Sequence, residues 1–485
     1  MESDSGDRCP GRASSDGTAS CASRSSWPRR IGVLNDYVRI PYANGSSFAS
    51  QFLYREFTRR GHEVTIVGPR DPTARLEQLP PRYVLLPSVP LKNHPGVYLA
   101  LPARRALADL VSRKLDVVLG QTSSGLMVAG TWLRARHGVP LLCVNTVHLR
   151  SVYNVMLPDR LNQKASVRTL FERHIIPRLE RQTAQIYNQS DGLIVLSGGF
   201  ESYWRERGVR VPIHVIPRAV EPRIFDAPPG PDPFPATAAP GFRLLVVCRH
   251  TREKGIARLL EIFARFIGPA VPEATLTLVG DGPEHDSFRA NARRLGVMER
   301  THFMGERPVT ETPRWYRHAD LFVYTSLSET YGQVVSEALW CGLPVVAFAD
   351  GMGVSQQVTD GQDGVLVPPA PDLEAADRRF AAEVTALLRS PPCRERLSVA
   401  ARRNARRRSD PATCIARYYE AFEAARRHRR ETGKVPGRAG STGALVRWAG
   451  LHAAIAALGC VRRPAAMNPS GQAQPSWGVL EPPPG

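Results

Sequence analysis

The chain has 485 residues, with 64 Lys or Arg against 45 Asp or Glu and a formal net charge of +19. Apolar residues make up 42%, enough to build large cores, which excludes an acidic disordered chain, a collagen and a small disulfide scaffold. At about 150 residues per domain, the length suits two large domains or three ordinary ones.

Residues 1–29 are rich in Ser, Gly and Asp and lack an apolar run, so they read as a disordered tail and not as a secretion signal. IGVLND (31–36) is the first predicted strand. PYANGSS follows, then a helical pattern over 47–60 that Gly61 ends, and EVTIVG (63–68) is the next strand. DVVL (116–119), PLLCVN (140–145), GLIVL (192–196) and IHVI (213–216) continue the alternation, each run short, β-rich and suited to burial on both faces of a parallel sheet. DAPPGPDPFPATAAP (226–240) breaks the pattern, because its Pro and Gly forbid a regular element, and reads as a linker.

A second array follows: FRLLVVC (242–248), ATLTLVG (274–280), LFVYT (321–325), LPVVAF (343–348) and GVLVP (364–368). Helical patterns cover 373–390, 394–408 and 411–428. The expected fold class is α/β, with two Rossmann-like doubly wound domains facing across a cleft: 30–225 and 241–409. Residues 410–430 form a final helix and 431–485 a flexible tail. Within that tail, 444–461 fits an amphipathic surface helix. No run of 18 uncharged apolar residues occurs, so no spanning helix is expected.

The basic excess is nearly all Arg, with Lys only at 92, 114, 164, 254 and 434; residues 377–430 alone hold 15 Arg against six acids. Base composition would produce such a bias, and so would attraction to nucleotide phosphates, an anionic membrane surface or nucleic acid. No zinc module, recognition helix or aromatic-basic RNA motif accompanies it, so nucleic acid is not an expected partner. The eight Cys lie far apart without a CxxC pair, which points to reduced core residues and a cytoplasmic protein rather than a metal or disulfide framework.

The chemistry-bearing residues gather at predicted strand ends. In SLSETYGQVVSEALWCGLPVVA (326–347) a strand ends at Thr325, a loop holds Glu329 and Gly332, and a helix opens near Gln333 with Glu337 one turn in. The start of a helix at a strand's carboxyl end offers free N–H groups to a phosphate, and a Gly there lets the backbone approach it. Glu337 has the reach to grip vicinal ribose hydroxyls, and Glu329 to contact sugar hydroxyls. VVCRHTREKG (246–255) sets Arg249 and Lys254 on one strand-to-helix loop, suited to a diphosphate without a metal. VGDGP (279–283) is a tight turn that would shape a pocket wall. Asn44-Gly45 follows the first strand without a GxGxxG fingerprint, which disfavours a dinucleotide site. His148 follows PLLCVN, where it would bond a substrate hydroxyl or move a proton. Taken singly, each of these also fits an ordinary solvated loop.

In combination, Arg249 and Lys254, Glu329 and Glu337 at E-x7-E spacing, the VGDGP turn and the CGLPVVA strand resemble family-4 retaining glycosyltransferases of GT-B fold over residues 30–425. The resemblance implies a nucleotide-sugar held mainly by the second domain, an acceptor held by the first, and a final helix that crosses back. It implies that Arg249 and Lys254 neutralise the donor diphosphate and Glu337 holds the ribose. Glu329, Gly332, Gln333 and Val334 would meet the donor sugar or phosphates, Gly45 would lie near the diphosphate, Gly280 would line the nucleotide pocket, and His148 would lie near donor sugar and acceptor. The residues PRAVE at 217–221 depart from the family's usual Pro-Asn-Gly-Val-Asp and put its hinge-side contacts in question. QTSSGLMVAG (121–130) and ETYGQVVSEAL resemble relatives that glycosylate lipids. The expected partners are a UDP- or GDP-sugar, a lipid or glycan hydroxyl and the anionic inner face of the plasma membrane, with no cofactor and no metal. A GT-B-like sugar-nucleotide epimerase would share the architecture without a second substrate.

Overall fold

The computed structural model describes residues 27–36, 45–72, 74–90, 98–121, 126–148, 164–238, 240–327 and 329–432. The proposed surface helix at 444–461 and the tails lie outside them.

The first half forms a seven-stranded parallel sheet. Its strands are β1 (Arg30–Leu34), β2 (Glu63–Pro69), β3 (Tyr83–Leu86), β6 (Val117–Gly120), β7 (Leu141–Val144), β8 (Gly192–Val195) and β9 (Ile213–Val215), in the order β3-β2-β1-β6-β7-β8-β9. A small antiparallel pair, β4 (Ser88–Pro90) with β5 (Tyr98–Ala100), lies apart from it. Side chains alternate across a strand, and the cores follow that period. Ile31, Val33, Val117, Leu119, Leu142 and Val144 face one apolar cluster, whereas Leu34, Val118, Leu141 and Cys143 face another. The helices Leu126–His137, Ile176–Tyr187 and Gly198–Glu206 cover the second face. The first face is covered by Leu53 and Phe57 of the helix Gly45–Arg59, and by Ile415, Tyr418 and Phe422 of the helix Pro411–Thr432. The last described helix therefore completes the core of the first domain.

The second half is a six-stranded parallel sheet of β10 (Arg243–Val247), β11 (Thr275–Val279), β12 (Thr301–Gly305), β13 (Leu321–Tyr324), β14 (Val345–Phe348) and β15 (Gly364–Val367), in the order β12-β11-β10-β13-β14-β15. Its central strands are buried throughout, as continuous Val/Leu/Phe runs require. The Pro-rich stretch before β10 contains one 3-10 turn, Ala236–Ala238, and is anchored to this second core: Phe234 packs on Trp315 with ring centroids 5.1 Å apart, and Asp232 accepts a hydrogen bond from Arg243 at 2.7 Å.

The sequence reading omitted β3, β4, β5 and β12. Both β3 and β12 are short sheet-edge strands that are only partly buried: Tyr83 and Leu85 of β3 are half-buried, as are His302 to Gly305 of β12.

The two halves touch at several points. A Cβ on Gly199 would sit 2.4 Å from the carbonyl oxygen of Gly351, so the opening of the helix Gly198–Glu206 lies directly on the second domain. At the hinge, Val220 donates its N–H to the Ser409 carbonyl at 2.9 Å, the Gln333 side-chain amide donates to the Ala219 carbonyl at 3.2 Å, and Arg55 pairs with Glu221. The backbone makes the first two contacts, so the unusual PRAVE sequence leaves that joint intact.

Candidate active site

In an open parallel sheet, ligands sit beyond the carboxyl ends of the strands where the strand order reverses. In the second sheet this point lies between β10 and β13. The loop after β10 carries Arg249 and Lys254, and the loop after β13 carries Glu329 and Gly332. Gly255, at φ +71°, ends the 3-10 turn Arg252–Lys254 and opens the helix Ile256–Ile262. A Cβ there would meet the Thr325 carbonyl oxygen at 2.8 Å, so the absence of a side chain lets the two loops close on each other.

The sequence reading gave Lys254 and Glu329 separate tasks, but the structure joins them. The Lys254 ammonium donates to Glu329 Oε1 at 2.5 Å, and Tyr324 and Ser326 each donate to the same oxygen at 2.7 Å. Glu329 is only 8% exposed. Burial pulls the Lys254 ammonium down, but the adjacent carboxylate outweighs that and leaves it above its ordinary range. Burial likewise pushes Glu329 up, and Lys254 with the two hydroxyl donors brings it below the usual carboxylate range. The pair is therefore fully ionised near neutral pH. Arg249 stands exposed two residues beyond the end of β10.

Gly332, at φ +80° and ψ +61°, is the N-cap of the helix Gln333–Trp340. No side chain among the described residues caps this helix. The N–H groups of Gln333 and Val334 precede the first intrahelical bond, which Val335 makes to the Gly332 carbonyl at 2.9 Å. The buried Gln357 amide holds this turn by donating to the carbonyls of Tyr331 and Gly332. One turn along the helix, buried Glu337 accepts from the Tyr316 hydroxyl at 2.9 Å. No cation among the described residues balances it, and burial pushes its carboxyl up to about 7, while the Tyr316 and Gln333 hydrogen bonds pull the other way. Val334 is half-buried and packs against the second core, and its backbone N–H sits in the first turn of the helix.

Gly280 is constrained on its own account. At φ +136° it donates to the Gly305 carbonyl at 2.8 Å, and a Cβ would fall 1.9 Å from the Cys248 carbonyl oxygen. That close approach binds the loop after β11 to the loop after β10.

From the first domain, His148 follows β7 and packs edge-on against Phe200 and Tyr203, with ring centroids 5.6 Å away in each case. Two residues earlier, the Thr146 carbonyl accepts a hydrogen bond of 3.4 Å from the Thr330 hydroxyl, next to Glu329. The His148 loop and the Glu329 loop thus meet across the cleft. Gly45 is the first residue of its helix, on the loop after β1. Asn44 and the rest of residues 37–44 lie outside the described residues, as do residues 122–125 of the 121–130 stretch.

Sequence reasoning missed Tyr316, Tyr324 and Ser326, the neutral donors that hold the two glutamates. Tyr324 ends β13 and Ser326 lies two residues on, a period-2 signal that was available. Tyr316 is on the helix Thr312–His318, with no pattern linking it to Glu337.

The glycosyltransferase description "Glycosyltransferase Family 4" matches residues 44–223, and "Glycosyl transferases group 1" matches residues 236–404. The D-inositol 3-phosphate glycosyltransferase of Kribbella flavida is 29% identical over 64% of this chain and 77% of its own length. The GDP-mannose-dependent alpha-mannosyltransferase of Mycobacterium tuberculosis is 28% identical over 80% of this chain and 95% of its own. The alpha-monoglucosyldiacylglycerol synthase of Streptococcus pneumoniae is 25% identical over 72% and 77% respectively. Among solved structures, Anabaena Alr3699/HepE in complex with UDP and glucose superposes with a TM-score of 0.60 at 19% identity, over 82% of this chain and 100% of that one. With both halves matched in order and two doubly wound domains facing each other, the chain belongs to the family-4 glycosyltransferases of GT-B fold.

Proposed function

We propose that the chain is a retaining hexosyltransferase that moves a sugar from a UDP- or GDP-sugar to a lipid or glycan hydroxyl. The observation that carries this reading is the convergence, at the β10/β13 switch point, of the Lys254–Glu329 pair and the uncapped start of the helix Gln333–Trp340. The donor's diphosphate lies between the loop bearing Arg249 and Lys254 and the N–H groups of Gln333 and Val334. Glu337 receives the ribose hydroxyls, and Glu329 the sugar hydroxyls. The reading calls for no divalent ion in the transfer step.

The acceptor hydroxyl attacks the anomeric carbon on the face that the diphosphate leaves, so configuration is retained. The bond from that carbon to the phosphate oxygen breaks with its electron pair on the diphosphate, which takes up the acceptor proton. Cations and amides already aimed at the developing charge lower the barrier. His148, on the first-domain loop that meets Glu329, contacts the donor sugar and orients the acceptor. Relatives whose names specify inositol phosphate, mannosyl and diacylglycerol chemistry support a hydroxyl on a lipid or glycan precursor.

The enzyme works at the anionic inner face of the membrane without crossing it. Exposed Arg402, Arg403, Arg406 and Arg407 on the helix Pro391–Ser409 support this. Among the described residues no helix is long and apolar enough to span a bilayer.

Calorimetric titration with UDP, GDP and ADP, followed by transfer assays with the sugars of whichever binds, tests the reading. Saturable binding of UDP or GDP that is lost in Lys254→Ala supports it. Undiminished binding and turnover in that variant overturn it. Sedimentation with anionic vesicles at low salt tests the membrane part, and absence of binding overturns that part alone.

A further inference from the structure

We propose that His250, Asp281 and His285 form a binding site for a divalent cation of the zinc class. Nothing in the transfer reaction as proposed uses these residues. His250 is wholly buried on the loop after β10, and Asp281 and His285 flank the turn after β11. The Nδ1 atoms of the two imidazoles are 2.9 Å apart, and His285 Nδ1 is 3.4 Å from Asp281 Oδ1. All three ligand atoms lie within 4.8 Å of one another.

The convergence is on a single nitrogen. His285 Nδ1 faces both the other imidazole and the carboxylate, yet it carries either one proton or one lone pair. A relay would use the two different nitrogens of the ring, whereas here the second imidazole and the carboxylate both approach the same nitrogen. Zinc bonds of about 2.0–2.1 Å in a tetrahedron set ligand atoms about 3.3 Å apart; the two separations from His285 Nδ1 lie either side of that value, and the third is within 4.8 Å. Two imidazoles and a carboxylate are a donor set that zinc accepts, with the fourth position left for water or another ligand.

The site is built rather than incidental. His250 donates its N–H to the Asp281 carbonyl at 2.9 Å, and its own carbonyl accepts from Glu284 at 3.1 Å. His285 donates its N–H to the Gly282 carbonyl at 3.0 Å, and the Asp281 carboxylate accepts from the Gly282 N–H at 2.6 Å. A Cβ on Gly282 would lie 2.5 Å from the His250 carbonyl oxygen, so only glycine permits this spacing of the loops. The His250 ring is fixed edge-on by Phe288 and Phe303, at 5.9 and 6.3 Å. A cation here would tie the loop bearing Arg249 and Lys254 to the loop after β11.

The test is a titration of the chelator-stripped full chain, free of any histidine tag, with Zn²⁺ and separately with Co²⁺. One equivalent is expected to bind. Co²⁺ should show the intense visible absorption of a four-coordinate ion, and Zn²⁺ should raise the melting temperature. His285→Ala and the near-isosteric Asp281→Asn should each weaken binding at least about tenfold and abolish that spectrum. Asp281→Asn keeps the turn's shape, so it answers the question even if the alanine variant folds poorly. Absence of micromolar binding, or equal affinity in Asp281→Asn and the parent, overturns the proposal. The readout is metal binding alone, so it stands or falls independently of the transfer activity.

Discussion

Replacing Glu337 by Gln separates the cost of burying a carboxylate from everything else the residue does. Burial raises the Glu337 carboxyl from 4.5 to about 7 in the folded chain. A raised folded value means that the folded state holds a proton the unfolded state has already released. The stability this contributes is complete below pH 4.5 and is lost as pH rises through 7. The gap between the two values corresponds to about 3 kcal/mol. Gln carries no such burden, and its carbonyl oxygen can still accept from Tyr316. Relative to the parent, Glu337→Gln should therefore be more stable by up to about 3 kcal/mol at pH 8, with the advantage shrinking toward zero near pH 4.5. Other groups that titrate in this range affect both proteins and cancel in the difference. Urea unfolding followed by the fluorescence of buried Trp315 and Trp340, both in the second domain, measures it. Parallel stability–pH curves for the two proteins would refute the reasoning and place the carboxyl in contact with water. On the proposed function, the same variant should bind nucleoside diphosphate more weakly at pH 8 despite its greater stability.

Lys254→Ala leaves the Glu329 carboxylate buried without its cation. That should cost roughly 3–5 kcal/mol, and Lys254→Ala/Glu329→Gln should recover part of the loss in the same unfolding assay. Turnover in the single variant should fall roughly a hundred- to a thousand-fold. Gly280→Ala drives a methyl into the Cys248 carbonyl and should expose the second domain to limited proteolysis. Gly332→Ala meets nothing closer than 3.5 Å and should cost only the about 1–2 kcal/mol of a left-handed residue. Phe422→Ala removes a fully buried ring that lies 5.6 Å from Phe57. A loss of about 3–5 kcal/mol from the first domain is expected, and trypsin should then cut within the Arg-rich end of the helix Pro411–Thr432.

The parts legible in the sequence share one property: their signal is local. β13 and β14 are unbroken apolar runs, and the loops at 249–255 and 329–332 follow the apolar runs of β10 and β13 directly. What escaped is whatever the topology assembles from distant segments. Tyr316 reaches Glu337 because the helix Thr312–His318 packs beside the helix Gln333–Trp340. His250 meets His285 because β10 and β11 are neighbours in register, and neither spacing resembles a zinc motif. Edge position alone does not hide a strand, since the edges β9 and β15 are legible as IHVI and GVLVP. β3 is half-buried at alternate positions and β12 at all but its first, and their sequences can resemble loops.

The Lys254–Glu329 pair changes how the charge of the site must be counted. A diphosphate brings its negative charge to a region that already holds two buried carboxyl groups, Glu329 and Glu337. Lys254 is committed to Glu329 by a 2.5 Å contact, so it cannot be counted as a whole positive charge for the phosphates. On the proposed reading, the remaining attraction comes from the helix opening at Gln333 and from Arg249, and the deficit is eased by Glu337, which stays largely protonated below about pH 7. The pair still contributes. Without Lys254, Glu329 would itself be driven toward protonation by burial and could no longer accept hydrogen bonds from sugar hydroxyls with both oxygens. On the proposed reading Lys254 serves the phosphates and the sugar together, a task that suits one of the five lysines in an arginine-rich chain. A compact, rotatable ammonium can shift from the carboxylate toward a phosphate oxygen while keeping one hydrogen bond to each, a motion that the rigid planar guanidinium fork does not permit at this spacing.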